Sequence, residues 1–481
     1  MSASVREKAF TQRFYLYLIM TKSAEKLYMS YAVKNSEGAA LMPSYIIRSM
    51  RKMFSHCLKL SYKDTAQQNS YVTIPRAANS FDNTEIAANV DEDIIDSLTG
   101  GRLVGSVTSF ENFAECPLRY YLRYGVDLKE REEFTFSPVN FGVVLHAVIR
   151  EVCDEIKKNG ESYYLISEEK RREMVKRSVA AITDIYQNSI LKDSSRNSFM
   201  IKRMEDLADR TVWAMGEQLK CGDFVPFVFE HKFNMEVGDG DRKQLMSGTI
   251  DRVDICENGT DVYVRIIDYK TGKKDFNIVK TYYGIDIQLM VYMEAAMKLV
   301  AKMRPGKNVI PAGVFYYNIS DPIVSATTES ADEIEDKIKG ELRLKGMVNS
   351  DKDIAEKMDN TEGTSLNIPV SRKADGGFDS RRSKVMNTEQ FNMLGRFVDV
   401  RAVDTADRIA GGDIRRSPYK DGQFSSCDRC PYGAVCGFSV DLPGCNYRKL
   451  KKFDDEVLWN NIKEGVDENG KKMDTGAEER D

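Results

Sequence analysis

The stretch Arg265-Ile266-Ile267-Asp268-Tyr269-Lys270-Thr271-Gly272 predicts a buried β-strand that ends in two charged side chains. Side chains alternate between the two faces of a strand, so Asp268 and Lys270 point the same way. A second apolar run, residues 248–254, comes shortly before it and carries Asp251. We expect these runs to be neighbouring strands that bring Asp251, Asp268 and Lys270 to one end of a sheet.

Two aspartates and a lysine in this order suit a divalent-metal site for phosphodiester hydrolysis. Carboxylate oxygens are the hard ligands that Mg²⁺ prefers, so Asp251 and Asp268 are the predicted metal ligands. Lys270 is expected to position the attacking water and to stabilise the negative charge that develops on the phosphate. The spacing resembles the Asp…Asp-x-Lys pattern of PD-(D/E)xK nucleases. The alternative is that both aspartates are surface residues at strand ends, where turns favour aspartate.

His146 is the predicted third metal ligand. It ends a Phe-Gly-x-x-x-His sequence on an expected helix, 105 residues before Asp251. A lone histidine on a helix is more often a structural residue, and the carboxylate pair is what favours the ligand interpretation. The backbone carbonyl of Tyr269 is a further candidate oxygen. Glu230 is either an accessory acid or an ordinary glutamate of an edge strand.

Gln288 and Tyr292 lie four residues apart on a predicted helix and therefore on one face of it. We expect both side chains to contact a DNA phosphate and to hold the strand that carries Asp268 in place. The alternative is an amphipathic helix that only packs beside the sheet.

The composition describes a globular protein of more than one domain. With 481 residues, 42% hydrophobic and 30% charged, the chain is too long for a single core, so two or three domains are expected. No apolar run approaches the ~20 residues that cross a bilayer, and residues 1–17 lack a secretory signal. We therefore expect no membrane contact and a cytoplasmic location. The net charge of −4 gives no overall signature of nucleic-acid binding, but it allows a local basic groove.

Nine cysteines in a chain of this kind favour metal ligation over disulfides. Cys427, Cys430 and Cys436 form a Cys-x2-Cys-x5-Cys sequence near the end of the predicted fold. A four-coordinate site needs one more thiolate, for which Cys445 is the near candidate and Cys116 the distant one. Zinc and an iron–sulfur cluster both stay open, because zinc ribbons use two paired knuckles and only one pair is present. A ligand at Cys116 would close a long loop and stabilise the fold.

The order of strand-like and helix-like segments predicts an α/β fold, in which helices flank a mixed sheet. Thr108 and Glu111 have the spacing of a capping box, which predicts a helix that opens there and leads to Cys116. Another helix begins near Phe141 and carries His146. The strand candidates are residues 225–237, 245–255, 261–269 and 309–319, and the other helical candidates are residues 44–58, 168–218, 284–303, 333–344 and 388–410.

These segments together resemble the RecB-type nuclease family, and most closely its AddB subunits. The resemblance covers residues 104–450 and rests on the sequences at 106–121, 142–146, 248–254, 267–272, 288–292, 311–317, 412–419 and 427–436. It implies a restriction-endonuclease-like fold with a Mg²⁺ site at Asp251, Asp268 and His146. It also implies a 4Fe–4S cluster in place of zinc, with the ligands Cys116, Cys427, Cys430 and Cys436.

The resemblance further implies a role in double-strand-break processing. The expected activity is exonucleolytic degradation of the 5′-ended DNA strand, in a complex with an AddA-type helicase–nuclease subunit. Residues 1–100 resemble the last part of a helicase-like region followed by a linker, and residues 451–481 are predicted to be a charged, disordered tail. No Gly-x4-Gly-Lys-Ser/Thr loop occurs, and Lys22 replaces an arginine of related helicases, so no ATP-driven motor is expected on this chain. The chain is either the last part of a longer subunit or a truncated product.

Three other functions stay open on the sequence alone. The first is a non-catalytic DNA-binding scaffold with a vestigial site, against which the complete Asp–Asp–Lys set argues. The second is a stand-alone exonuclease of the kind that serves CRISPR adaptation, against which the helicase-like first segment argues. The third is a redox sensor built on the cysteine cluster, for which the sequence offers no motif of its own.

Overall fold

The structure of the protein is a computed structural model, and it describes residues 5–22, 27, 29, 31, 41–42, 44–53, 89–91, 94, 104–129, 138–185, 195–237, 244–325, 330–440 and 445–478. The chain divides into two compact units, residues 1–81 and residues 82–481. Strands and helices are numbered in chain order. None of the described helices has the length and apolar character needed to cross a membrane.

The first unit contains two described helices, α1 (Val5–Thr21) and α2 (Tyr45–Met53). Helix α1 leaves large apolar side chains in solvent, since Phe10, Phe14 and Ile19 are each more than half exposed. The helix predicted over residues 44–58 is present over α2. Most of the linker expected in the last part of residues 1–100 lies outside the described residues.

The second unit is built around a mixed seven-stranded sheet. Its strand order is β1-β3-β4-β5-β6-β7, and β2 pairs with β3. The strands are β1 (Val104–Ser106), β2 (Val225–Val237), β3 (Gln244–Asn258), β4 (Asp261–Lys270), β5 (Asn308–Asn318), β6 (Lys345–Asn349) and β7 (Val385–Met386). Pairs β2/β3, β3/β4 and β5/β6 are antiparallel, and pairs β1/β3, β4/β5 and β6/β7 are parallel. The predicted α/β class with a mixed sheet is confirmed, and β2, β3, β4 and β5 begin and end within three residues of their predicted bounds.

Helices pack on both faces of this sheet. They are α3 (Val107–Glu115), α4 (Pro117–Tyr120), α5 (Pro138–Lys158), α6 (Glu168–Ile185), α7 (Ser195–Lys220), α8 (Ile278–Tyr282), α9 (Gln288–Met303), α10 (Ala331–Glu341), α11 (Lys352–Met358) and α12 (Thr388–Ala410). A π-helical turn, Tyr121–Gly125, follows α4. The charged helical region predicted over residues 168–218 is two helices, α6 and α7. The helix predicted over residues 388–410 is α12, with the same bounds.

Strand β4 is buried on both faces, which explains why most of its sequence is apolar. Tyr263 and Ile267 are buried in a cluster with side chains of α5, α6 and α7. Val264 and Ile266, on the other face, are buried in a cluster with side chains of α9 and α12. A strand that is covered on both faces has no polar face, so its sequence does not alternate. Arg265 is the charged residue in the middle of the strand, and it is buried in an ion pair with Asp254.

A small second sheet completes the cysteine-rich end of the chain. It has the order β10-β8-β9, formed by β8 (Tyr419–Asp421), β9 (Phe424–Ser425) and β10 (Arg448–Lys449). The short helix α13 (Gly433–Cys436) lies in the connection between β9 and β10. This arrangement places Cys427, Cys430 and Cys436 between two strands of one small sheet.

The tail differs from its prediction. The charge of residues 451–481 predicts disorder, whereas Asp455–Glu478 forms a helix, α14. Leu458 and Ile462 lie four residues apart on it and are buried in the core cluster that contains side chains of α9 and α12. These two apolar side chains on one helical face dock the first turns of the helix against the core. The net charge of the segment does not indicate this contact.

Candidate functional site

Strands β2 and β3 and helix α5 bring three potential metal ligands together. Nδ1 of His146 lies 3.4 Å from Oδ1 of Asp251 and 3.9 Å from Oε1 of Glu230. One ligand atom from each residue lies within 4.8 Å of the others, and the described part of the chain holds no second group of this kind. The side chains of His146 and Glu230 are each 24% exposed. An ion from solvent therefore has access to all three, which we call the acidic triad.

Glu230 has a backbone conformation that is uncommon for any residue except glycine. Its φ of 48° lies in the left-handed region, while the residues on either side of it keep the antiparallel pairing of β2 with β3. Such a conformation costs about 1–3 kcal/mol and persists only where the surrounding structure enforces it, which is common at functional sites. Here it occurs at the acid that approaches His146 and Asp251. The sequence alone does not distinguish an accessory acid from an edge-strand glutamate at this position.

Gln288 joins the remaining predicted residues into a second group. Its Nε2 donates to Oδ1 of Asp268 at 3.1 Å and to the hydroxyl of Tyr292 at 2.9 Å. Its Oε1 accepts from Nζ of Lys270 at 3.0 Å, and the same Nζ lies 2.5 Å from Oδ2 of Asp268. The structure thus brings Asp268, Lys270, Gln288 and Tyr292 into one hydrogen-bonded group, which we call the lysine cluster.

Asp268 occupies a different place from the one expected of a ligand beside His146. Both of its oxygens are engaged within the lysine cluster, and Glu230 takes the position next to His146 in the acidic triad. The two groups are nonetheless adjacent. The backbone N–H of Tyr269, next to Asp268, donates to Oδ2 of Asp251 at 2.6 Å. All the predicted ligands therefore meet where the pairing of β3 with β4 ends, which puts Asp268 near the end of β4 and Asp251 in the middle of β3, not at a strand end as expected.

The two groups together carry more negative charge than their cations neutralise. Burial, reinforced by the charge of Asp251, raises the pKa of Asp268 to about 7. Burial and the same charge also raise the pKa of Glu230. Burial lowers the pKa of His146, but a hydrogen bond to Asp251 and the nearby acids outweigh it and leave that pKa above its ordinary value. A divalent cation bound here would relieve the repulsion between the carboxylates.

Glu111 supports this site in a way that the sequence did not indicate. The capping box predicted between Thr108 and Glu111 is absent, because Ser106 caps helix α3. The carboxylate of Glu111 instead accepts hydrogen bonds from the backbone N–H groups of Ile287 and Gln288, at 2.9 and 3.0 Å. A carboxylate at the N-terminus of α9 stabilises that helix, and this one also fixes the backbone of Gln288. Burial raises the pKa of Glu111 to about 7.

Lys274 and Asp286 form a further ion pair that the sequence did not indicate. Nζ of Lys274 lies 3.0 Å from Oδ1 of Asp286, and the hydroxyl of Tyr316 donates to that oxygen at 2.7 Å. Nζ of Lys274 also lies 4.5 Å from the centre of the Tyr316 ring. Lys274 lowers the pKa of both Glu111 and Asp268, so it offsets part of the effect of burial on each of them. Nothing in the local sequence marks these residues, because their partners come from separate elements.

The four predicted cluster cysteines lie within electrostatic reach of one another. Cys116 is buried, while Cys427, Cys430 and Cys436 are half-buried. Burial, together with Cys116 and the other thiols, raises the pKa of Cys427 and of Cys436. Each thiol disfavours ionisation of the others, and a cation among them would remove this effect. Four sulfur donors are a ligand set of zinc and of iron–sulfur clusters, so the residues fit a group of this kind.

Hydrogen bonds also join the beginning and the end of the second unit near these cysteines. The backbone N–H of Leu118 donates to the carbonyl of Arg415 at 3.3 Å. The hydroxyl of Tyr432 donates to the carbonyl of Leu128 at 2.9 Å, across 304 residues of sequence. The segment that carries Cys116 is therefore attached by direct hydrogen bonds to the segment that carries the other three cysteines.

The fold and the site define a class of protein. The profile of the PD-(D/E)XK nuclease superfamily matches residues 105–437, which is more than half of the chain. This chain therefore belongs to the PD-(D/E)XK nuclease superfamily. The matched range includes the acidic triad, the lysine cluster and all four cysteines.

AddB proteins, named as subunits of an ATP-dependent helicase/deoxyribonuclease, are similar to this chain over nearly its whole length. The protein from Clostridium acetobutylicum is 30% identical over 527 aligned residues, which cover 98% of this chain and 45% of that protein. The one from Caldanaerobacter subterraneus subsp. tengcongensis is 31% identical over 534 residues, covering 99% and 46%. The one from Lachnoclostridium phytofermentans is 30% identical over 531 residues, covering 100% and 45%. The predicted resemblance to AddB proteins is confirmed, and the chain spans less than half the length of these relatives.

Proposed function

We propose that this chain is a Mg²⁺-dependent deoxyribonuclease that degrades the 5′-ended strand of DNA exonucleolytically during double-strand-break processing. The observation that carries the proposal is the meeting of the acidic triad and the lysine cluster where the pairing of β3 with β4 ends. Membership of the nuclease superfamily supports phosphodiester hydrolysis. The word deoxyribonuclease in the names of the relatives supports DNA as the substrate.

The metal would be held by Asp251, Asp268 and His146, with Glu230 as a further acid. When bound, Mg²⁺ supplies a water of lowered pKa and polarises the phosphate. The donor set suits the ion, because its carboxylates offer hard oxygens and their pKa values are raised by burial and by the charge of Asp251, and a cation offsets both effects.

Lys270 is proposed to orient the attacking water and the scissile phosphate. An ammonium group has three N–H donors, and Asp268 and Gln288 occupy two directions around this one. The third remains for a water or a phosphate oxygen. Gln288 is itself held by Asp268 and Tyr292, so the ammonium is fixed before the substrate arrives. A preorganised cation stabilises the charge of the transition state without reorganisation.

The four cysteines are proposed to hold a 4Fe–4S cluster with a structural role. Such a group would attach Cys116, at the beginning of the nuclease domain proposed at residues 104–450, to Cys427, Cys430 and Cys436 at its end. Closing a loop of this length restricts the unfolded chain and so favours the folded one. We expect the cluster to raise the free energy of unfolding by roughly several kcal/mol, as loop closure and metal binding do in other proteins.

We further propose that the nuclease works beside an AddA-type helicase–nuclease subunit, with residues 1–100 as the remnant of a helicase-like region. Two observations support this. The names of the relatives include a helicase, and more than half of each relative lies outside the match. Helix α1 also exposes Phe10, Phe14 and Ile19. Large exposed apolar side chains are typical of a helix that packs against another protein surface.

The test is cleavage of end-labelled single-stranded DNA by anaerobically purified, iron-loaded protein with and without Mg²⁺, beside Asp268→Ala. We expect Mg²⁺-dependent cleavage by the wild type and a loss of about 10²–10³-fold or more in the variant, because charge stabilisation and metal binding are both removed. Labels at either end report the polarity. The matched control is Asp223→Ala, since Asp223 is an exposed aspartate paired with Lys357 away from the site.

Equal cleavage by Asp268→Ala would contradict the assigned site. No cleavage by a folded wild type would remove autonomous activity. Adding the AddA-type partner then separates a partner-dependent nuclease, which gains activity that Asp268→Ala lacks, from a scaffold subunit, in which the two proteins behave alike.

A further inference from the structure

Strand β3 has a stretch of free edge beside the acidic triad. Strand β1 pairs with β3 at residues 245–247, and β4 pairs with it at residues 252–258. Strand β2 runs along the opposite edge from residue 244 to residue 255. Residues 248–251 consequently have no partner, among the described strands, on the edge that β1 and β4 share. We call this interruption the sheet gap, and it ends at Asp251.

A cavity of about 490 Å³ lies at the sheet gap. The first residues of α3 and the middle of β2 contribute to its walls. Its polar lining residues include Thr108, Lys232, Asn234, Ser247 and Thr249. Tyr292, a member of the lysine cluster, lines it as well, so the cavity and the proposed catalytic site adjoin. A volume of this size is typical of a site for one small organic ligand, and a nucleotide is of that class.

The register of the strands sets the distance from the cavity to the acidic triad. Lys232 lies directly opposite Thr249, so the two side chains share a face of the sheet. Lys232 is two residues from Glu230, and Thr249 is two residues from Asp251. Two residues of a strand span about 7 Å, which is on the order of the spacing between neighbouring phosphates of one DNA strand. A DNA strand whose scissile phosphate lies at the triad therefore brings its next phosphate to Lys232 and Thr249.

The chemistry of the cavity suits an anion. Lys232 is the cationic side chain of its wall, and Thr108 and Thr249 add hydroxyl groups. Helix α3, nine residues long, begins at this wall, and the first N–H groups of a helix carry partial positive charge. Against the effect of burial, Arg150 and Lys232 both lower the pKa of Glu230, so a second cation lies near the same end of the triad.

Gly248 keeps the floor of the cavity packed. A Cβ atom at this position would lie 2.7 Å from the ring of Phe233 and 3.0 Å from Cε1 of Tyr292. The two rings, 5.6 Å apart and nearly perpendicular, thus fill the space below the glycine. Because the hydroxyl of Tyr292 accepts a hydrogen bond from Gln288, the floor is connected directly to the lysine cluster.

We propose that this cavity binds the nucleotide next to the scissile phosphate, with Lys232, Thr249 and Thr108 contacting the phosphate of that nucleotide. The proposal rests on the proposed nuclease function and adds to it the place where the substrate strand is held. Lys232 acts in binding and register, whereas Lys270 acts at the reacting phosphate.

The experiment combines a change in the protein with a change in the DNA. Lys232→Gln and the control Lys302→Gln, an exposed lysine on α9, are compared on oligonucleotides that carry one uncharged methylphosphonate at successive positions. In the wild type, a neutral group beside the cleaved bond should lower kcat/KM at that bond about tenfold, as the loss of one charge-assisted hydrogen bond does. Lys232→Gln should lower kcat/KM on unmodified DNA to a similar extent. It should also reduce the salt dependence of binding by about one counterion and leave kcat within about twofold.

The decisive outcome is whether the two changes add. If Lys232 contacts that phosphate, the neutral group should have no further effect in Lys232→Gln, while it keeps its full effect in Lys302→Gln. The proposal is overturned if the effects of Lys232→Gln and of the neutral group multiply, or if the neutral group has the same effect in both lysine variants. Fluorescence anisotropy with the same oligonucleotides and the Asp268→Ala protein, with and without Lys232→Gln, reports the cavity when no bond is cleaved. A position-specific effect that Lys232→Gln abolishes there supports the cavity even if the nuclease function fails, and its absence overturns it.

Discussion

Two groups of charged residues lie side by side on β3 and β4, and the aspartates at their centres have opposite electrostatic surroundings. Asp254 is completely buried between two buried arginines: it accepts from Nε of Arg252 at 2.7 Å and from Nε of Arg265 at 2.8 Å. Asp268, on the neighbouring strand, has Lys270 as its cation and Asp251 as an opposing anion. Asp254 accepts hydrogen bonds from two cations, whereas Asp268 has one ion-pair partner and a second acid beside it.

The difference is visible in the acidity of the two groups. Burial alone would raise the pKa of Asp254, but Arg252 and Arg265 outweigh it and hold that pKa below its ordinary value. Burial and Asp251 raise the pKa of Asp268 to about 7. The first group is satisfied within the protein, so its role is structural. The second is left incomplete, as expected of a site whose remaining charge comes from a bound cation.

The largest expected effect separates these roles by stability. Asp254→Asn leaves two buried arginines without their anion, and we expect it to lower the free energy of unfolding by about 3–5 kcal/mol. The measurement is urea denaturation followed by circular dichroism. Asp223→Asn removes an exposed partner of Lys357 and should cost no more than about 1 kcal/mol. Similar losses in the two variants would show that the buried group is not the stronger structural element.

The next effect concerns the pH dependence of the metal-free protein. An unfolded aspartate has a pKa of about 3.9, whereas the pKa of folded Asp268 is about 7, so the folded state holds this proton more tightly. Asp268 therefore makes stability fall as pH rises from about 4 to about 7, and the loss persists above that range. Asp268→Asn should lack this component and gain on the wild type across the same window.

Melting temperatures at successive pH values, in EDTA and in Mg²⁺, measure this difference. Mg²⁺ should raise the melting temperature of the wild type by binding the ionised carboxylates, and should have little effect on that of Asp268→Asn. The difference between the two proteins should therefore become smaller. Parallel melting curves for both proteins across the window would contradict the comparison between Asp254 and Asp268.

The smallest expected effect tests how the incomplete group is held. Glu111→Ala removes the acceptor of two backbone N–H groups at the start of α9, including that of Gln288. We expect kcat to fall about 10- to 100-fold with little change in KM, because Gln288 and through it Lys270 lose their orientation. Glu111→Gln keeps an acceptor oxygen and should recover most of the activity.

The control for Glu111 is Glu217→Ala, which removes a partly buried acid paired with Lys339 at 2.8 Å and distant from the site. It should leave kcat unchanged at temperatures where the protein is folded. If Glu111→Gln is as impaired as Glu111→Ala, the charge of Glu111 matters more than the hydrogen bonds, and its role as a positioning residue would be wrong.

The local sequence was enough for much of the fold. Strands β2 to β5 have continuous or alternating runs of Val, Ile, Phe and Tyr, and their bounds follow from those runs. The bounds of α12 likewise follow from its helix-forming composition. Short-range patterns also brought Asp251, Asp268 and Lys270 to one place, because alternation along a strand fixes which side chains share a face. The tail failed under the same reasoning, since its docking depends on Leu458 and Ile462 meeting a distant core.

The sequence by itself determined the class of the fold, the pattern of acids and lysine on two neighbouring strands, and a set of cysteines suited to a metal group. Only the tertiary structure decided which groups those residues meet. It placed Glu230 beside His146, Glu111 at the backbone of Gln288, and a cavity at the sheet gap next to Asp251. The physical reason is that periodicity records which face a residue occupies, whereas contacts between segments far apart in sequence depend on the packing of whole elements and leave no local pattern.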